Sequence, residues 1–156
     1  MTGLRRDSER RRATDRCLEL VVIDRAVPDR NAVRQAAIGR GAQVLVLEPE
    51  GDGLEQIAGR LVGCRGLAAL HVVGHGRDGA ITLAGAELDD AAMERRAGSL
   101  GRIGAALAPG GALLLYGCDV AASERGRGFV ARLAALTGAA VAAAIGPTGA
   151  ADLGGD

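Results

Sequence analysis

Two stretches decide the fold: Leu70-His71-Val72-Val73-Gly74-His75-Gly76 and Leu113-Leu114-Leu115-Tyr116-Gly117-Cys118-Asp119. Each is a short apolar run that stops at a glycine and is followed at once by a reactive side chain. A strand buried on both faces of a parallel sheet reads as such a continuous apolar run. In open α/β sheets, ligands bind outside the carboxyl ends of the strands. If the two strands are neighbours, His75 and Cys118 share one edge. Imidazole beside thiol is the minimum equipment of a cysteine nucleophile.

Working outward, strands and helices alternate. Leu18 to Ile23 reads as a first strand ending at Asp24, and Ala42 to Leu47 as a second. Between them Pro28-Asp29 opens a helix through Val33, Ala36 and Ala37, closed by Gly39 and Gly41. Asp52 has the place of an N-cap, with Glu55 three residues on, close to a capping box. Leu54, Ile57, Ala58 and Leu61 mark one face of the helix that follows. The third strand, Leu67 to Val73, delivers His75. Ala80 to Leu83 and Ala86 to Leu88 then form a small hairpin around Gly85. One longer helix is expected from Asp89 or Asp90, with Met93, Ala97, Leu100, Ile103 and Leu107 inward, stopped by Pro109-Gly110-Gly111. The fourth strand, Ala112 to Tyr116, delivers Cys118. Ser123 caps a fourth helix carrying Phe129, Leu133 and Leu136, ended by Gly138, and Ala139 to Ile145 is a fifth strand. Strands alternating with helices predict a mostly parallel, flavodoxin-like sheet with helices on both faces, a three-layer α/β sandwich.

The 156 residues fit one domain. Apolar residues make up 48%, but with one Phe, one Tyr and no Trp. Small side chains bury little area each, so the layers must pack closely. Nineteen basic residues, all Arg, balance nineteen acidic ones, which argues against a dedicated nucleic-acid surface. No apolar run reaches the length of a membrane span. Residues 1–17 read as an Arg-rich disordered tail without the apolar segment of a secretory signal; weak binding to acidic surfaces is its functional alternative. The domain proper is 18–156.

His75 lies between Gly74 and Gly76, which permit close backbone approach and unusual dihedral angles. The bland alternative is a loop histidine. His71, inside the strand, reads as a core or supporting histidine. Cys118 alone would be an inert core residue more often than not; its place beyond a strand, level with His75, changes that balance. Cys17 and Cys64 lack a suitable partner, and three sparse cysteines are no disulfide framework. The N–H groups of Gly76 and Cys118 are candidates for an oxyanion hole. Asp24 and Asp119 are candidates to orient His75 or line the pocket, although turn or cap roles suit both. No metal or cofactor is expected: zinc-ligand spacing is absent, and no G-x-G-x-x-G follows the first strand.

The pairing His75-Gly76 with Gly117-Cys118 resembles the caspase-like, clan CD cysteine peptidases. Val22-Ile23-Asp24, Val27-Pro28-Asp29, Asp52 to Ile57, His71 to Gly76 and Leu115 to Ala121 are similar to an uncharacterised bacterial domain found near the N-terminus of giant secreted proteins with cadherin-like or RTX repeats. The resemblance spans roughly 18–156. It implies a caspase-like sheet, a His75/Cys118 dyad with Gly76 at the oxyanion hole, and hydrolysis of peptide bonds in a polypeptide substrate, the chain itself or a repeat adhesin. It also implies an extracellular or cell-surface setting. The chain stops at Leu153-Gly154-Gly155-Asp156 where the family continues with a further strand, so a C-terminal truncation is expected. A non-catalytic surface-targeting or protein-binding module on the same fold is the alternative.

Overall fold

The computed structural model describes residues 18–146; the Arg-rich tail, Cys17 and the stretch 147–156 lie outside the described residues. Five parallel strands form the main sheet: β1 (Glu19–Ile23), β2 (Gln43–Val46), β3 (Leu67–Val73), β7 (Leu107–Tyr116) and β8 (Ala140–Ala143), in the order β2-β1-β3-β7-β8. A second, antiparallel sheet of β4 (Gly76–Arg77), β5 (Ala80–Leu83) and β6 (Ala86–Leu88) follows β3 directly. The helices are α1 (Arg30–Gly39), α2 (Gly53–Arg60), α3 (Asp90–Arg95), α4 (Ala97–Ala106) and α5 (Glu124–Thr137). The α/β class, the parallel sheet and its flanking helices agree with the sequence reading.

The two-residue period of a strand sorts the core into two layers. Leu20 and Val22 of β1, Leu70 and Val72 of β3, and Leu113 and Leu115 of β7 face one side. There they meet Leu54 and Ile57 of α2, Leu100 and Ile103 of α4, and Phe129 and Leu133 of α5. The intervening Val21, Ile23 and Val73 face the other side and meet Val33 and Ala37 of α1. Each such aliphatic side chain contributes about 1.5–3 kcal/mol on full burial. The caps fall where the sequence puts them: Asp52 accepts from the amides of Leu54 (2.9 Å) and Glu55 (3.3 Å), Asp89 from Ala92 (2.9 Å) and Ser123 from Arg125 (3.1 Å). Gly138 closes α5 in the left-handed region, at φ 71°.

Two expectations are corrected. The single helix before β7 is two, α3 and α4, broken at Arg96 (φ −109°, ψ 18°). The break lets α3 pack on β6 and α5 while α4 packs on α2, α5 and β7. Pro109-Gly110-Gly111 does not stop a helix; it lies inside β7, which starts at Leu107 rather than Ala112. Opposite β3, the register jumps from Leu67↔Leu107 to Ala69↔Ala112, so five steps along β7 match two along β3. The extra residues form a bulge, the place in a sheet that tolerates a proline without an N–H and a glycine at φ 79°.

Candidate active site

β3 and β7 are neighbours, with Val73 opposite Tyr116. The Gly74 amide donates to the Tyr116 carbonyl (3.2 Å) one step beyond. His75-Gly76 and Gly117-Cys118 therefore leave the sheet side by side at its carboxyl edge. His75 is exposed and Cys118 half-buried.

The glycines serve packing. A Cβ on Gly76 would stand 2.7 Å from Val120 Cγ2, 2.8 Å from the Cys118 carbonyl oxygen and 2.8 Å from the Gly117 carbonyl carbon. One on Gly117 would stand 3.0 Å from the Gly76 Cα and 3.2 Å from its amide nitrogen. One on Gly74 would meet the Thr82 carbonyl oxygen at 2.7 Å, where β5 crosses. Neither Gly74 nor Gly76 has a positive φ, so only the first of the two reasons offered for these glycines, close approach, operates here. The amide nitrogen of Gly76 lies against Gly117, the residue before Cys118.

His75 Nε2 lies 3.1 Å from the carbonyl oxygen of Ala26. A carbonyl only accepts, so Nε2 carries the hydrogen of this bond, and in the neutral ring Nδ1 holds the lone pair. The partner that orients His75 is thus a backbone carbonyl in the loop after β1, a role no side-chain motif announces. Asp24 acts one step away. It is 3% exposed; its Oδ1 accepts from Ala26 N (2.9 Å) and its Oδ2 from Ala84 N (2.6 Å). Its carboxylate pins the loop that presents Ala26 and ties it to the β5–β6 turn, where Ala84 (φ 52°) and Gly85 (φ 78°) reverse the chain. An aspartate two residues before an amide at a strand end is an Asx turn, the one sequence signal for this arrangement.

Asp119 is exposed and left-handed (φ 58°), a conformation Asp adopts more readily than most residues. Its carbonyl accepts from Ala122 N (3.1 Å). The segment that follows Cys118 is fastened to the small sheet. Gly79 N donates to Val120 O (3.0 Å), and Asp78 accepts from the Ser123 amide (3.0 Å) and hydroxyl. These bonds hold the Asp78 carboxyl below its usual range, the Ser123 hydroxyl contributing most. Arg77 pairs with Glu87 across the small sheet.

Beneath the edge, His71 is 5% exposed. Its Nδ1 lies 3.1 Å from Tyr116 Oη, its Nε2 3.5 Å from Glu19 Oε1, and its ring stacks on Tyr116 at 5.8 Å. Burial pushes its pKa below the ordinary imidazole value, opposed by Glu19. It supports the strand and takes no part at the edge, as its place in the sequence suggests. Cys64 lies beyond the end of α2. Among the described residues, no group of three or more His, Cys, Asp or Glu side chains could hold a metal ion, and no helix is long and apolar enough to cross a membrane.

The sequence pattern of a domain family matches residues 20–156, from β1 onward. The chain belongs to that family, described as a domain of unknown function (DUF4347). Among the described residues, the match takes in every helix and, apart from Glu19 at the start of β1, every strand, with the segments of the DUF4347 domain that carry His75 and Cys118. No curated protein matches the chain.

Proposed function

We propose that this domain is a cysteine endopeptidase of the caspase-like, clan CD type, with His75 and Cys118 as its dyad. One observation carries the reading: the two residues leave adjacent parallel strands with glycine backbones in contact, and Ala26 O holds Nε2 so that Nδ1 is the basic nitrogen. Nδ1 takes the thiol proton as the sulfur attacks the scissile carbonyl carbon. The Gly76 and Cys118 amides are the proposed donors to the developing oxyanion. The C–N bond then breaks, and the leaving amine takes the proton from His75. Water attacks the thioester next, giving up a proton through His75 to the departing sulfur, and a carboxylate and free thiol result.

The substrate class is polypeptide, and the setting implied by the resemblance is a giant secreted repeat protein at or outside the cell surface. The test is competitive labelling with a thiol electrophile followed by peptide mapping. Cys118 should react faster than Cys64, and His75→Ala should remove the difference. Equal rates in the native protein would discard the dyad and leave a binding module on this fold.

A further inference from the structure

We infer that the cavity between α2, the β5–β6 hairpin and α3 binds a single carboxylate carried on a short aliphatic stem, a role independent of the dyad. The cavity holds about 250 Å³, below the roughly 300–1,000 Å³ of a pocket for a drug-sized ligand, so it suits one side chain or one small acid. Leu54, Leu83, Leu88 and Ala92, all buried, supply its apolar wall. The start of α2 and strand β5 meet there closely: a Cβ on Gly53 would stand 2.9 Å from the Leu83 Cβ.

The charges on the rim do not cancel. Asp52, Glu87, Arg95 and Arg96 line the cavity. Arg96 pairs with Asp52 Oδ2, and Glu87 is held by Arg77. Arg95 ends α3 and, among the described residues, forms no ion pair. Asp89 feels its charge, but its Oδ1 is taken up by the cap of α3, at the Ala92 amide (2.9 Å). One guanidinium is thus uncompensated, and a guanidinium is a planar fork of donors that matches a carboxylate.

A second donor lines the same cavity. Of the first amides of α2, Leu54 N and Glu55 N donate to Asp52 Oδ1 and Gln56 N to the Asp52 carbonyl (3.0 Å). The Gly53 N–H donates to no group among the described residues, although Gly53 is buried. A buried amide without an acceptor costs free energy comparable to a lost hydrogen bond, and an acceptor oxygen in the cavity removes that cost. One free cation matches one negative charge, whereas a phosphate would bring a second charge up to Asp52 and Glu87. The aliphatic stem covers the leucines. A free short-chain acid and the glutamate side chain of a polypeptide share this chemistry.

The experiment is a titration of the full isotope-labelled chain at neutral pH, followed by amide chemical shifts. The probes are butyrate, a blocked alanine-glutamate-alanine peptide, their neutral counterparts (butyramide and the glutamine peptide) and inorganic phosphate. The expected result is a saturable shift of the Gly53 and Ala92 amides, with a dissociation constant on the order of millimolar for ligands this small. The neutral counterparts should bind about tenfold more weakly or worse, and Arg95→Gln should weaken carboxylate binding by a similar factor. Arg95→Lys, which keeps the charge and loses the fork, should fall between. Both variants change an exposed side chain, and their unliganded amide spectra check that they fold. Tighter binding of the glutamate peptide than of butyrate assigns the site to a polypeptide, and the reverse order to a free acid. Shifts that equal those of the neutral counterparts, that do not saturate, or that persist unchanged in Arg95→Gln overturn the inference, as does phosphate binding more tightly than butyrate. None of these outcomes involves Cys118, so the peptidase reading stands or falls separately.

Discussion

Gly76→Ala adds one methyl group at the point where the segments carrying His75 and Cys118 touch. The new Cβ would meet Val120 Cγ2 at 2.7 Å and the Cys118 oxygen and Gly117 carbon at 2.8 Å each, against an ordinary contact of about 3.5–4.0 Å between carbons. Two of the three neighbours are main chain. Val120 is fully buried, where close packing resists its displacement. The methyl must therefore push the 117–120 segment away from the 75–76 segment. Overpacking of this kind costs about 1–3 kcal/mol; with two backbone contacts, ~2 kcal/mol is expected. Urea unfolding should show it as a lower midpoint with an unchanged slope, and Cys118 alkylation should slow as well. Gly128→Ala is the control. It lies on the exposed face of α5 with nothing within 4 Å of its Cβ, and should raise stability by about 0.5–1 kcal/mol through helix propensity. A Gly76→Ala protein as stable as wild type, with native alkylation kinetics, would refute the argument that the loops are in backbone contact.

Three further outcomes are expected. Asp24→Asn keeps the shape but turns one acceptor into a donor facing a backbone N–H; stability should fall by about 1–3 kcal/mol, measured by the urea midpoint, with the β5–β6 turn losing hydrogen-exchange protection. His71 is held neutral by burial, so as pH falls below the ordinary imidazole range the unfolded chain takes up its proton first. Stability therefore drops from about pH 6.5 downward toward the lowered native pKa, and the difference between wild type and His71→Gln across a pH series of urea titrations should isolate that loss. His75→Ala should slow acylation of Cys118 by a peptidyl electrophile by about 10²–10⁴-fold without moving the urea midpoint by more than the few tenths of a kcal/mol usual for an exposed side chain.

The alternation of apolar runs with capped helices was enough to read the parallel sheet, because each of Asp52, Asp89 and Ser123 makes the local hydrogen bond its type favours. That the segments His75-Gly76 and Gly117-Cys118 leave one edge was legible for a related reason: successive parallel strands joined by a helical crossover are commonly neighbours and end on the same side of the sheet. Pro109-Gly110-Gly111 misled because a helix stop and a strand bulge use the same residues, and only the long-range register with β3 separates them. The break at Arg96 was hidden because the apolar spacing continues through it; tertiary packing on α5 decides it. The orienting carbonyl was out of reach altogether, since every residue has one.

That carbonyl has a consequence for genetics. A main-chain oxygen cannot be deleted by changing a codon, so substitution at Ala26 leaves it in place, and a side-chain scan would not reveal this partner of His75. Sensitivity would surface at the residues that set the loop's path instead. Asp24 grips the Ala26 amide, and its own carbonyl accepts from Val27 N at 3.1 Å. On the proposed dyad, a damaging substitution at Asp24 would look like a lost catalytic acid while acting through the backbone amides of Ala26 and Ala84 that its carboxylate holds. Replacing the peptide bond after Ala26 by an ester, which weakens its carbonyl as an acceptor, would separate the two.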